Sequence, residues 1–170
     1  RHSAALQRRL DEVGVRREED ADRVGRGIEL ELLAVRSALR TLPHVPPHCY
    51  MALNVSPETV IGGAMLELIQ GIDRARLVIE VTEHNAVPDY AALIAQLLPL
   101  RAHARIAIDD VGSGYAGLRH IVDLRPDILK LDMSLTRQVD TDPARRALAH
   151  ALVSFAREIG STLVAEGIET

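Results

Sequence analysis

The sequence predicts an α/β fold that forms part of a (βα) TIM-type barrel. From Cys49 onward, short β-rich runs alternate with helical stretches, at spacings typical of parallel α/β folds. Five of these runs are predicted to be strands, and all five are strongly apolar. A complete barrel usually takes about 250 residues. This chain has 170 residues and stops directly after the fifth strand, so we expect the barrel to be incomplete here.

The composition limits the class of protein. The hydrophobic fraction of 47% is enough for a core, and 170 residues suit one domain. The net charge is −4 without a dense basic cluster, which argues against nucleic-acid binding. No apolar run approaches the roughly 20 residues of a membrane helix. Because Cys49 is the single cysteine, we expect a reducing compartment. Together with the lack of a long apolar run, this predicts a cytoplasmic domain without direct membrane contact.

The region upstream of Cys49 is predicted to be helical. One apolar stripe at helical spacing consists of Val24, Ile28, Leu32, Val35, Leu39 and Leu42. A further helix is predicted over the first dozen residues, and residues 16–20 are charged enough to be a solvated connection. We therefore divide the chain into an N-terminal helical and charged segment, residues 1–20, and a partial barrel, residues 21–170.

The five strands and the helices between them follow in order. Strands are predicted at residues 50–54, 77–81, 106–109, 128–131 and 162–165. Helices are predicted at residues 58–72, from Pro88 to about residue 103, and at 115–124 after the glycine-rich loop 112–114. Asp142 is predicted to cap a long last helix, with Pro143 at its first position and Gly160 at its end.

Polar residues occur at the carboxyl end of every predicted strand. They are Asn54, then Glu80 and Glu83, then Asp109 and Asp110, then Lys130, and last Glu166. Ligands of parallel α/β folds bind at this edge of the sheet. Carboxylate and amide oxygens without His or Cys suit Mg²⁺, Mn²⁺ or Ca²⁺. An adjacent Asp pair can bridge or flank two metals, an arrangement that suits attack on a phosphodiester.

Lys130 is unusual because the chain has 19 Arg residues and this single Lys. A lysine offers a compact ammonium group with a pKa that shifts readily, whereas an arginine offers a rigid planar fork. We therefore interpret the lone lysine as a position where Arg would not serve, with chance as the alternative interpretation.

Five ordered motifs resemble those of the EAL domain family, whose members are cyclic-di-GMP phosphodiesterases. The motifs are LNVS (53–56), IEVTE (79–83), IDDVGSGY (108–115), LKLD (129–132) and AEGIET (165–170). The resemblance covers about residues 21–170. It implies hydrolysis of cyclic-di-GMP to the linear dinucleotide with Mg²⁺ or Mn²⁺, and it is compatible with a homodimer and with sensory or cyclase domains fused in a longer parent protein.

The resemblance also implies a role for each site residue. Asn54, Glu80 and Asp109 correspond to ligands of a first metal, and Asp109 and Asp110 to ligands of a second. Lys130 corresponds to the lysine that holds or polarises the attacking water, and Glu166 to a base or metal partner. Glu83 corresponds to a glutamate that braces the loop at residues 112–118.

The chain departs from the family pattern in three places. It has no early Glu-Ala-Leu motif, and it stops before the Gln-Gly motif of the family. Val111 stands where the family usually has Phe. We therefore expect a chain truncated at both ends that is inactive, or nearly so, by itself.

Two alternatives to catalysis by an EAL domain stay open. A degenerate domain would act as a non-catalytic cyclic-di-GMP-binding or protein-docking regulator, and the missing early Glu favours it. The other alternative is an unrelated metal-dependent barrel enzyme, such as an enolising one with a Lys base. The full set of polar residues favours catalysis, because a docking module has little need of them.

Overall fold

The computed structural model describes residues 26–81, 87, 89–111 and 118–167. The chain separates into two compact units, residues 1–42 and residues 43–170. In its described part the first unit contains helix α1 (Gly27–Leu39), in which Val35 is buried. The predicted upstream helix is confirmed over this range. Val24, the first dozen residues and the predicted boundary after residue 20 lie outside the described residues.

The second unit is built on one parallel sheet of five strands in the order β1-β2-β3-β4-β5. The strands are β1 (Met51–Val55), β2 (Leu77–Val81), β3 (Arg105–Val111), β4 (Ile128–Leu131) and β5 (Thr162–Ala165). Strands that are consecutive along the chain are also neighbours in the sheet, as in a (βα) barrel. The predicted α/β class and the incomplete barrel are confirmed.

Helices follow the strands. They are α2 (Pro57–Ile61), α3 (Met65–Ile69), α4 (Tyr90–Leu100), α5 (Leu118–Leu124), α6 (Met133–Thr136) and α7 (Pro143–Glu158), with short 3-10 turns at Leu42–His44 and Arg74–Arg76. Side chains cap several of them: Ser56 accepts a hydrogen bond from the first turn of α2, and Asp89 and Asp142 do the same for α4 and α7. Among the described helices, none combines the length and the apolar character that crossing a membrane requires.

One prediction about the helices was wrong, and one helix was missed. The single helix over residues 58–72 is two short helices, because the chain turns at Gly62 and Gly63, and Gly63 has a φ of 78°. Helix α6 was not predicted at all. Its N-cap is Asp132, whose side chain accepts a hydrogen bond from the Ser134 N–H.

The two faces of the sheet differ. On one face the alternating side chains are large, aliphatic and almost inaccessible; they include Val55, Leu77, Ile79, Val81, Ile106, Ile108 and Leu129. On the other face lies a small apolar cluster of Val78, Ala107 and Ile128, with Val164 packed against it. The next positions along that face, toward the carboxyl ends of the strands, are polar, and they form the candidate site.

Candidate active site

Asn54 and Glu80 are placed by the pairing of the first two strands. The register of β1 and β2 sets these two residues side by side, on the same face of the sheet. Asn54 is exposed on β1, whereas Glu80 is a buried residue in the interior of the sheet, 8% exposed. A carboxylate that is buried to this degree needs a charged partner or a ligand to offset the loss of hydration.

Asp109 and Asp110 reach the site together because β3 is irregular at this point. Successive side chains of a regular strand point to opposite faces, so two adjacent residues would normally separate. Here the register with β4 shifts between Ile108 and Val111, and Asp110 adopts a φ of 54°. The Asp110 N–H donates a hydrogen bond of 2.9 Å to Oδ1 of Asp109. An irregularity of this kind redirects a side chain, and here it brings both carboxylates to one edge.

Lys130 lies at the centre of the candidate site. Its Nζ is 3.0 Å from Oε2 of Glu80, 2.9 Å from Oδ2 of Asp109 and 2.8 Å from Oε1 of Glu166. An ammonium group has three donors, and here three different carboxylates surround it. The side chain therefore joins residues from β2, from β3 and from the end of β5.

The surroundings of Lys130 keep it protonated. Burial by itself would lower the pKa of Lys130, because it disfavours the charged form. Hydrogen bonds to Glu166, Asp109 and Glu80 act in the opposite direction and outweigh burial, so the pKa is raised above its ordinary value. The residue is a fixed positive charge in this arrangement of the site.

Glu166 follows β5 directly and is held by the last residue of β4 and by α6. Its N–H donates to the Leu131 carbonyl at 3.2 Å, and its own carbonyl accepts a hydrogen bond of 2.6 Å from Oγ1 of Thr136. Gly167 then adopts a φ of 66°, in the region that favours glycine.

The donor set of the site fits a divalent cation. Asp109, Asp110 and Glu166 each offer a carboxylate oxygen, and these three oxygens lie within 4.8 Å of one another. With Glu80, the described residues of the site include four carboxylates and the one ammonium of Lys130, so they carry an excess of negative charge. Oxygen-only donors in such a group are what Mg²⁺, Mn²⁺ and Ca²⁺ prefer.

The structure brings together most of the residues that were singled out from the sequence. Glu80, Asp109, Asp110, Lys130 and Glu166 form one cluster, and Asn54 adjoins it through the register of β1. Glu83 lies outside the described residues, as does most of the loop that it was predicted to brace. The roles assigned to all seven residues stay predictions.

Two residues that contact the site were missed from the sequence. Thr136 binds the main chain of Glu166, and Met133 lies so close to Gly167 that a Cβ there would be 2.5 Å from its Cγ. Both belong to α6. The sequence did hold a signal for this helix, because Asp132 directly follows β4 and Asp is a preferred N-cap residue.

Comparison with known proteins supports the family suggested by the motifs. The family model described as "EAL domain" matches residues 19–170. A cyclic di-GMP phosphodiesterase of Pseudomonas aeruginosa is 34% identical over 127 residues, which cover 71% of this chain and 22% of that protein. The cyclic di-GMP phosphodiesterase PdeL of Escherichia coli is 31% identical over 133 residues, covering 74% of this chain and 37% of that protein.

Solved structures agree with the fold. BlrP1 of Klebsiella pneumoniae, in a complex with calcium and cyclic-di-GMP, superposes with a TM-score of 0.72 at 29% identity, covering 85% of this chain and 39% of that one. The EAL domain of Mycobacterium smegmatis DcpA has a TM-score of 0.64 at 30% identity, covering 83% of this chain and 66% of that one. The chain spans only about a fifth to a third of the curated relatives' length. On the family model and these structures together, the chain belongs to the EAL domain family.

Proposed function

We propose that this chain is part of a phosphodiesterase that hydrolyses cyclic-di-GMP to the linear dinucleotide with Mg²⁺ or Mn²⁺. The observation that carries the proposal is the cluster of Glu80, Asp109, Asp110 and Glu166 around Lys130. Two relatives are named cyclic di-GMP phosphodiesterases, and similar structures were solved with cyclic-di-GMP and calcium or manganese. The substrate and the metal class are inferred from those proteins.

Each residue of the cluster has a proposed task. Asp109, Asp110 and Glu80, with Asn54 beside them, would hold the metal through oxygen atoms. A bound divalent metal supplies hydroxide at neutral pH and polarises phosphate oxygens. Lys130 would hold or polarise the attacking water, and Glu166 would accept a proton or complete the metal site.

The non-catalytic regulator remains the rival proposal. A module that only docks to another protein has no use for a buried Glu80 paired with Lys130, because both charges lose hydration on burial. The same holds for the convergence of three carboxylates on Lys130. These features favour hydrolysis over simple docking.

Product analysis tests the proposal. The chain and its longer parent protein are incubated with cyclic-di-GMP and Mn²⁺ or Mg²⁺, and the linear dinucleotide is followed by chromatography. Glu80→Gln and Lys130→Arg should each abolish most of the turnover in the active protein, because Gln removes the charge of the carboxylate and Arg replaces the compact ammonium group with a planar fork. Glu67→Gln is the matched control, because Glu67 is an exposed acid on α3.

The outcomes separate the two proposals. Metal-dependent release of the linear product that is lost in Glu80→Gln and kept in Glu67→Gln supports hydrolysis. Binding of cyclic-di-GMP without any product, in both the chain and the parent, would refute hydrolysis and support the regulator. The reducing compartment, the homodimer and the fused domains stay predictions that only the parent protein can test.

A further inference from the structure

The main chain of Glu166 has one contact with the sheet and one outside it. Strand β5 ends at Ala165, and the Glu166 N–H donates to the carbonyl of Leu131, the last residue of β4. The Glu166 carbonyl accepts a hydrogen bond from Thr136 of α6, outside the sheet. The main chain of Glu166 is therefore held on one side by β4 and on the other by Thr136.

The Thr136 hydroxyl has one proton and two carbonyls within reach. Its Oγ1 lies 2.6 Å from the Glu166 carbonyl oxygen and 3.3 Å from the Met133 carbonyl oxygen. Hydroxyl hydrogen bonds in proteins are usually between 2.5 and 3.0 Å long, so the proton belongs to the bond with Glu166. The local bond within α6, which is common for Thr in helices, is the weaker of the two.

Helix α6 is a fixed support for this bond. Its first turn is capped by Asp132, whose Oδ1 accepts a hydrogen bond of 2.8 Å from the Ser134 N–H. Arg145 of α7 donates to the carbonyls of Ser134 and Arg137, so the helix is held near its start and just beyond its end. Thr136 is thus presented to Glu166 from a short element that is tied to its neighbours on both sides.

We propose that Thr136 is a positioning residue for the metal site. Its hydroxyl holds the main chain of Glu166, so that the Glu166 carboxylate stays beside Asp109, Asp110 and Lys130. The proposal deepens the proposed function and rests on it, because it assumes that this carboxylate serves a divalent metal. Partners that orient a metal ligand typically contribute about 10- to 100-fold in metal affinity.

Substitutions that differ only in the hydroxyl test the proposal. Thr136→Val keeps the shape and removes the donor, Thr136→Ala is a second variant without a hydroxyl, and Thr136→Ser restores the donor. Thr141→Val is the matched control, because within the described part of the chain the Thr141 hydroxyl donates only to the nearby Gln138 carbonyl, at 3.3 Å. Mn²⁺ affinity is measured by calorimetry on the full chain, after circular dichroism has shown that each variant is folded.

The expected result is an Mn²⁺ dissociation constant about 10-fold higher in Thr136→Val and Thr136→Ala, and unchanged in Thr136→Ser and Thr141→Val. Rescue by Ser separates positioning from a general loss of packing. In the active protein, kcat should fall in Thr136→Val more than KM rises.

The failures of the two proposals are distinguishable. Equal Mn²⁺ affinity in Thr136→Val and in the unsubstituted chain would overturn the role of Thr136, whether or not the protein hydrolyses cyclic-di-GMP. Failure of Ser to restore the affinity would overturn it too. An unsubstituted chain that binds no Mn²⁺ would overturn this role as well. A longer parent protein that binds Mn²⁺ but releases no linear dinucleotide would refute hydrolysis, and the affinity comparison on this chain would still decide the role of Thr136.

Discussion

Replacing Lys130 with Met removes the ammonium group that three carboxylates share. Met has a similar length and an apolar chain, so the substitution deletes the charge with little change in volume. In the unsubstituted chain, the Nζ of Lys130 lies 2.8 to 3.0 Å from oxygens of Glu80, Asp109 and Glu166. In the variant these carboxylates face one another without a cation, in the absence of metal.

The expected loss of stability follows from burial. Removing one partner of a buried ion pair costs about 3–5 kcal/mol, because a charge is left buried without compensation. Lys130 and Glu80 are largely buried, with side chains 16% and 10% exposed, but Glu166 is 36% exposed and partly screened by water. We therefore expect the free energy of unfolding to fall by about 3 kcal/mol, at the lower end of this range.

Urea denaturation in the presence of a chelator measures this loss. Arg157→Met is the matched control, because Arg157 is an exposed cation in the last turn of α7, and it should cost less than about 1 kcal/mol. Saturating Mn²⁺ should stabilise Lys130→Met more than the unsubstituted chain, because all the carboxylates freed from Lys130 can then bind the metal. If, without metal, Lys130→Met were as stable as the unsubstituted chain, the ion pairs of Lys130 would not stabilise the fold and the reasoning would be refuted.

Three further predictions follow from the same contacts. Asp109→Asn should weaken Mn²⁺ binding in calorimetry while the fold is retained, and an unchanged affinity would remove Asp109 from the metal site. Gly167→Ala should lower the free energy of unfolding in urea by more than about 1–2 kcal/mol, since its φ is 66° and the new Cβ would lie 2.5 Å from Cγ of Met133. Met133→Ala in the same chain should recover the packing part of that loss, and no recovery would contradict the contact. The pKa of Asp142 is lowered chiefly by the hydrogen bond from the Ala144 N–H, so its stabilising effect is present above pH 3.8, the ordinary value, and is lost at lower pH. The stability difference between the parent and Asp142→Ala in urea should therefore shrink as the pH falls below 3.8, and a constant difference would refute the capping role.

The strands were the most predictable part of the fold. The bounds predicted for β2, β4 and β5 agree with the structure, because short aliphatic runs between turn residues leave few alternatives. The region around α2 and α3 was harder. An isolated glycine costs a helix only about 1 kcal/mol, so composition did not reveal that Gly63 would adopt a φ of 78° and divide the helix.

The candidate site was predictable as a location and not as a geometry. Parallel strands deliver their carboxyl ends to one edge, so the sequence alone predicted that Glu80, Asp109 and Lys130 would lie close together. The irregularity that turns Asp110 toward the same edge depends on how β3 pairs with β4, and pairing across the sheet leaves no local trace in the sequence. The support of Glu166 by Thr136 is equally non-local, since 30 residues separate the two.

The geometry also gives a physical reason for one lysine among 19 arginines. Lys130 makes three short contacts, each with one oxygen of a different carboxylate: those of Glu80, Asp109 and Glu166. A carboxylate offers about four acceptor sites on two oxygens, so each group keeps capacity for another cation. An arginine fork would tend to bind both oxygens of a single carboxylate and leave the others unpaired. A compact ammonium group can therefore hold three acids in place without consuming the oxygens that a divalent metal needs.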